Sequence, residues 1–307
     1  MKLQEALREI QSLKKKIRSL TKEVECIKAA SLEDPSPVEK MLKARGIEVF
    51  RKNSTDRLFF PPDLSPFYKI RFYKMMKKYS FRIVLRDIIK YQDGFRIQDL
   101  THYCSPEAVQ GYCDQLDKMG AIMENGRGRY RTRVAPLYSF GPTLEWFIAE
   151  VFKREFASPA IYGVSVKGTP SGGDYDVIAS WNQRLVYVEV KSSPPKGVEQ
   201  SEISSFFSRT EDILAEIAVL FNDTQLRMKD KLVVMFEEEL GKRYGRESQT
   251  VSPVERLVEE LFHVGNRIFI VNSKKDVVEN LRYCLQTYLQ HKVSFLQAAV
   301  PAARGTP

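Results

Sequence analysis

The sequence predicts an α/β protein: a mixed sheet flanked by helices, preceded by a basic helical domain and an N-terminal heptad helix. Three observations carry this. Two Val-, Ile- and Tyr-rich alternating runs, one through Asp176 and one ending in Glu189-Val190-Lys191, read as neighbouring strands joined by a tight turn at 181–184. From 141 to 292, helical and extended patterns alternate in the order αβββαβαβα. Over residues 1–30, apolar side chains recur every seventh position.

The 307 residues are 43% hydrophobic, enough for two or three domains with buried cores. No run is long and apolar enough to span a membrane, and no signal-peptide core opens the chain. The four cysteines are scattered without a CxxC pair, which argues against a disulfide framework and a zinc site and fits a cytoplasmic location. The three histidines are equally dispersed, so histidine-based chemistry has little support. The formal net charge is +9, and all of the basic excess lies in residues 1–140. That is the footprint of an N-terminal half that grips phosphates, although a solubilising surface would look the same.

In chain order, residues 1–30 place Leu3, Ile10, Ile17 and Val24 at heptad position a, and Ala6, Leu13, Leu20 and Ile27 at d. Mostly β-branched a positions favour a parallel two-stranded coil, and Glu9 to Lys14 and Glu23 to Lys28 would be attractive pairs across it. A homodimer through residues 3–27 follows as an expectation. Residues 31–66 read as a linker and small module, with a short helix, an extended piece at 47–50 and a second one ending at Pro61-Pro62. This module would open the DNA-binding half.

Residues 67–140 form the next unit. A basic helix spans 67–92, and a short one 98–103. Ser105-Pro106 signals a helix start, and that helix runs through Val109, Tyr112, Leu116 and Met119 to a stop at Gly120. Asn125-Gly126 between extended runs marks a hairpin. Three helices followed by a basic hairpin resemble a winged helix-turn-helix, in which the second helix of the motif enters the major groove and the wing touches the backbone. Here that helix offers Gln110 and Lys118 beside acidic neighbours, and the wing offers Arg127, Arg129, Arg131 and Arg133 as a phosphate clamp.

Within 141–292, helices are expected at 143–156, 199–221, 253–262 and 275–289, and strands at 161–167, 175–181, 185–191, 232–236 and 267–271. Residues 293–307 read as a flexible tail. Side chains two apart on a strand share a face, so Glu189 and Lys191 project together, with Asp176 within reach on the neighbouring strand. Two carboxylates and an ammonium on one face suit a hard divalent cation and an oriented water.

Asp176, Glu189-Val190-Lys191 and the helix–three-strand–helix–strand order resemble the PD-(D/E)xK nuclease superfamily, which has the restriction-endonuclease-like fold. The resemblance covers residues 141 to about 290. It implies a DNA endonuclease in which Asp176 and Glu189 bind Mg²⁺, with Mn²⁺ as an alternative, and Lys191 stabilises charge on the phosphate or positions the water. A further carboxylate from the first helix is implied: Glu145 is the choice, and Glu150 and Asp174 compete. Gln200 opens the next helix as a loose match, and Gly172-Gly173 permits a tight turn beside the substrate. The competing reading is a non-catalytic DNA-binding regulator or assembly protein on a nuclease-like scaffold, and a third is a nuclease acting on RNA.

Overall fold

An eight-stranded mixed sheet organises the computed structural model, which describes residues 35–134, 136–245 and 253–299. The heptad segment 1–30 lies outside the described residues. The first elements, α1 (Pro37–Ala44) and β1 (Glu48–Arg51), belong to this sheet layer, and the helical half that follows contains α2 (Pro66–Met76), α3 (Tyr79–Lys90), a 3₁₀ turn (Ile97–Leu100), α4 (Pro106–Lys118) and the hairpin β2 (Ile122–Glu124) and β3 (Tyr130–Thr132). The remainder contains α5 (Gly141–Glu155), β4 (Ala160–Lys167), β5 (Asp174–Trp181), β6 (Arg184–Lys191), α6 (Gln200–Asp212) and β7 (Ile217–Asn222). It continues with α7 (Val234–Tyr244), β8 (Val254–Val258), β9 (Leu261–Val264), β10 (Ile268–Asn272) and α8 (Val277–Ala299).

The strand order is β1-β4-β5-β6-β7-β10-β9-β8. Pairing is antiparallel from β1 to β6, parallel from β6 through β7 to β10, and antiparallel again to β8. One core lies on the face carrying Val177, Val188 and Val219, against Phe147 and Phe152 of α5 and Leu281 of α8. A second core lies on the face carrying Tyr175, Ile178 and Tyr187, against Phe206 of α6, Phe236 of α7 and Leu42 of α1. The first core continues without a break into the helical half: Phe60, Phe72 and Trp146 meet with ring centroids 5.0 to 5.7 Å apart.

Several local expectations hold. Ser105 caps α4, with Pro106 in its first turn. Gly120 follows at φ +71, the left-handed turn that lets the chain leave the helix. The β5–β6 turn places Asn182 and Gln183 at positive φ, as a two-residue hairpin turn requires. Phe95 pairs with Tyr130 and adds a third extended piece beside the β2–β3 hairpin.

Others are corrected. The extended piece at 47–50 is β1, an edge strand of the large sheet paired with β4, rather than the opening of the helical half. The basic helix over 67–92 is two helices, broken where Lys78 is extended (ψ 122). The helix over 199–221 stops at Asp212, and Leu214 at φ +52 turns the chain into β7. Every residue of β7 is buried, so it carries no alternation and its apolar run merges with the helical pattern before it. Residues 232–236 are not a strand: they run from a π-turn into α7, with Leu232, Met235 and Phe236 packed inward. Residues 253–262 are not a helix but β8 and the start of β9, because pairing at the sheet edge overrides the helix preference of Glu, Arg and Leu. Residues 293–299 continue α8 rather than forming a tail.

Candidate active site

The β5–β6 ladder runs from Trp181↔Arg184 to Val177↔Val188. The next residues, Asp176 and Glu189, stand opposite each other just beyond it. There the Asp176 carboxylate takes the place of a backbone carbonyl: its Oδ2 accepts the Val190 N–H at 2.6 Å. Two residues along β6 share a face, so Glu189 and Lys191 project together, as their spacing predicts. The Lys191 Nζ lies 2.9 Å from Glu189 Oε1.

Glu189 is buried at 3% exposure and is held by three donors. These are the Tyr187 hydroxyl, Lys191, and Arg209 Nη1 at 3.2 Å. Arg209 comes from α6, as does Glu202, whose Oε1 is 2.6 Å from Lys191 Nζ. Sequence reasoning missed Glu202 and Arg209. The signal was present, since they stand seven residues apart on one helix and so share a face. Gly173, at φ +87, gives Arg209 its room: a Cβ there would sit 3.1 Å from Arg209 Nη2.

Glu145 reaches the site from α5, on the opposite face of the sheet. It passes β4 at Gly163, a residue at φ +55 whose absent side chain leaves Glu145 Oε2 only 3.7 Å from the position of a Cβ. By the β4–β5 register, Gly163 lies opposite Asp176. Burial, then Glu189 and Asp174, raise the Glu145 pKa to about 7 against a pull from Arg57. Burial, then Glu189 and Glu145, likewise hold Asp176 well above the usual carboxylate range, opposed by the Val190 N–H and Lys191. Burial pulls the Lys191 ammonium down, but Glu189 and Glu202 outweigh it and raise its pKa. Like charges gathered in a desolvated place produce this pattern.

The competing residues are engaged elsewhere. Glu150 pairs with Lys153 at 3.2 Å and Arg154 at 2.6 Å on its own helix. Asp174 is an exposed edge carboxylate, 2.6 Å from Arg51 Nη2 and 2.5 Å from Ser165 Oγ. Gln200 donates to the Met235 carbonyl at 3.1 Å.

Among the described residues, no group of three or more His, Cys, Asp and Glu side chains is arranged as a metal cage. Mg²⁺ needs fewer ligands, because it keeps several waters. Asp176 and Glu145 have no ion-pair partner among the described residues, and their raised pKa values are the strain that a bound cation would relieve. A carboxylate offers about four acceptor positions, and Tyr187, Lys191 and the shared contact of Arg209 to both oxygens engage them on Glu189, so a cation there would have to displace a donor. Asp176 and Glu145 are thus the carboxylates that such an ion would find without a countercharge among the described residues.

No family model and no curated protein matches the chain. Two solved structures resemble it distantly. One is protein VC1899 from Vibrio cholerae, at 12% identity and a TM-score of 0.46. The other is Can2 from Sulfobacillus thermosulfidooxidans, solved in complex with cyclic tetra-adenylate, at 13% identity and a TM-score of 0.41. Each alignment covers 84% of this chain and 62% of the other, so the chain spans under two thirds of either.

In the helical half, Arg127, Arg129, Arg131, Arg133 and Lys118 are all exposed. Gln110 is not free to read a base edge: its Nε2 donates to Asp114 at 2.8 Å and to the Tyr130 hydroxyl at 3.2 Å. No helix among the described residues is long and apolar enough to cross a membrane.

Proposed function

We propose that this chain is a metal-dependent DNA endonuclease of the restriction-endonuclease-like kind. The observation that supports the reading is the placement of Asp176 opposite Glu189, with Lys191 2.9 Å from Glu189, at one end of the β5–β6 pair. Asp176 and Glu189 would hold Mg²⁺ or Mn²⁺, with Glu145 as the third carboxylate. When bound, the cation polarises a phosphoryl oxygen and acidifies a water.

The chain's own groups divide the remaining work. Lys191 keeps its proton and offers it as a hydrogen bond to the phosphate oxygen as charge grows there. Arg209 and Tyr187 fix the Glu189 carboxylate in one orientation. Glu202 parks Lys191 until substrate arrives.

DNA would be gripped by a winged helix made of α3, the 3₁₀ turn, α4 and the β2–β3 hairpin, through the exposed arginines of the wing and Lys118 of α4. The heptads over residues 3–27 would bring two chains together, placing one site on each strand of a duplex.

One observation favours the second reading, a non-catalytic DNA-binding scaffold: Glu189 is already neutralised by Lys191 and Arg209. Incubation with supercoiled plasmid in Mg²⁺ or Mn²⁺ separates the two. The endonuclease reading predicts nicked or linear product with wild type and at least ~100-fold slower cleavage with Lys191→Ala, at unchanged plasmid affinity. Retention by wild type with no cleavage in either metal supports the scaffold instead.

A further inference from the structure

A cavity of about 510 Å³ opens on the other side of β6 from the carboxylates, lined by Arg86, Lys90, Gln92, Tyr138, Phe140 and Ser192 among others. Its size lies within the roughly 300–1,000 Å³ of ordinary ligand pockets. Ser192 follows Lys191 directly, and adjacent residues of an extended chain point to opposite sides. A strand crossing the end of β6 would therefore meet the catalytic lysine on one side and this cavity on the other.

The cavity is built rather than accidental. Tyr138 is 98% exposed, yet its neighbours Leu137 and Phe140 are only 5% and 4% exposed. Gln92 fixes the main chain beside it, accepting the Leu137 N–H at 3.0 Å and donating to the Leu137 carbonyl at 3.3 Å. An aromatic ring is thus held out into solvent on an anchored backbone, at no gain to the fold. Two cationic side chains line the cavity, Lys90 and Arg86, and Arg86 is already paired with the buried Asp223 carboxylate. Lys90 is exposed. Arg86 lies over the Phe140 ring at 5.3 Å, and its Nε is buried without a partner. Arg86 is also tied to the active-site strand: its Nη2 pairs with the Asp223 carboxylate and donates to the Asp223 carbonyl at 3.0 Å, and the Asp223 N–H donates to the Lys191 carbonyl at 2.8 Å.

We infer that this cavity takes one unpaired nucleotide of the bound DNA strand, with its base stacked on Tyr138 and its phosphate on Lys90. A ring with a free face binds a base whose own face is free, which a base inside a duplex does not offer. The inference rests on the endonuclease reading and sharpens it: the preferred substrate has a single-stranded or displaced segment beside the scissile bond.

The test is fluorescence anisotropy in Ca²⁺ with a fluorescein-labelled oligodeoxynucleotide, used single-stranded, annealed to its complement, and as the RNA of the same sequence. The exposed position of Tyr138 means that its variants should fold. Tyr138→Ala should weaken single-stranded DNA binding about tenfold, the loss of about 1.4 kcal/mol of stacking, and Tyr138→Phe should restore it. Lys90→Ala should weaken binding and flatten its salt dependence. Duplex affinity should not respond to Tyr138→Ala. Equal single-strand binding by wild type and Tyr138→Ala overturns the inference, as does an equal loss on duplex or an effect confined to RNA.

Oligonucleotide cleavage in Mg²⁺, run in parallel, separates the two claims. Cleavage by wild type with binding indifferent to Tyr138→Ala removes the nucleotide site and leaves the endonuclease. A Tyr138-dependent loss of binding in a wild type that cleaves nothing keeps the site and removes the endonuclease.

Discussion

The Lys191 ammonium is shared between Glu189 at 2.9 Å and Glu202 at 2.6 Å. Glu202 is the more exposed of the two carboxylates, so it is the partner Lys191 leaves when a phosphate arrives. Glu202→Gln should remove one of the carboxylates that raise the Lys191 pKa while leaving the fold intact. The basic limb of the pH–rate profile should then shift to lower pH, and cleavage near neutrality should change by no more than about tenfold. A profile superimposable on wild type would show that Glu202 has no hold on Lys191 during the reaction.

Glu145 should make the protein's stability depend on pH. Its folded pKa is raised from 4.5 to about 7, first by burial and then by Glu189 and Asp174. A carboxyl raised on folding contributes stability that is complete below its unfolded value and is lost as pH rises through the folded one. That window is 4.5 to about 7. In EDTA, Glu145→Gln should melt higher than wild type at about pH 8 and lose that advantage at about pH 4. Scanning calorimetry at several pH values reads this directly, and parallel curves for the two proteins would contradict it.

The buried pair Arg82 and Asp223 joins α3 to the end of β7. Arg82 Nε lies 3.0 Å from both Asp223 oxygens, and the two side chains are 1% and 0% exposed. Burial opposes the Asp223 charge, but Arg82 and Arg86 outweigh it and lower its pKa, so its stabilisation is present above the usual aspartate range and is lost as pH falls. Arg82→Ala should cost roughly 3–5 kcal/mol, because it leaves a buried carboxylate short of countercharge. Arg82→Met with Asp223→Leu should cost less than the single change. Urea denaturation of the three proteins checks the order.

The wing arginines act through charge alone if they grip phosphates. Arg129→Ala with Arg131→Ala should reduce the slope of log affinity against log salt by about 2, roughly equally for unrelated duplex sequences. A loss confined to one sequence would instead mark base reading.

Legibility in the sequence followed local signals. β4, β5 and β6, although mostly buried, were readable from their Val-, Ile- and Tyr-rich runs and the turns that flank them. The Ser105-Pro106 cap and the Asn125-Gly126 turn were readable because their chemistry is local. β7 was not, since both its faces are covered and periodicity vanishes. β8 and the start of β9 were not, since their Glu-, Arg- and Leu-rich sequence favours a helix until the sheet edge supplies a partner.

The site shows the same division. Asp176, Glu189 and Lys191 lie close in sequence on paired strands, and their meeting follows from register alone. Glu145 was chosen over Glu150 from the sequence, but its route past β4 at Gly163 is announced by no local pattern. Glu202 and Arg209 stand 11 and 20 residues from the side chains they hold, on a helix whose placement over the sheet is a tertiary fact.

The most direct measurement is a crystal soaked in Mn²⁺, with the ion located by its anomalous scattering. A peak in contact with both Asp176 and Glu189, beside Lys191, is the predicted result. Side chains unmoved at millimolar Mn²⁺, with no peak at these carboxylates or one at a different place, would contradict the account.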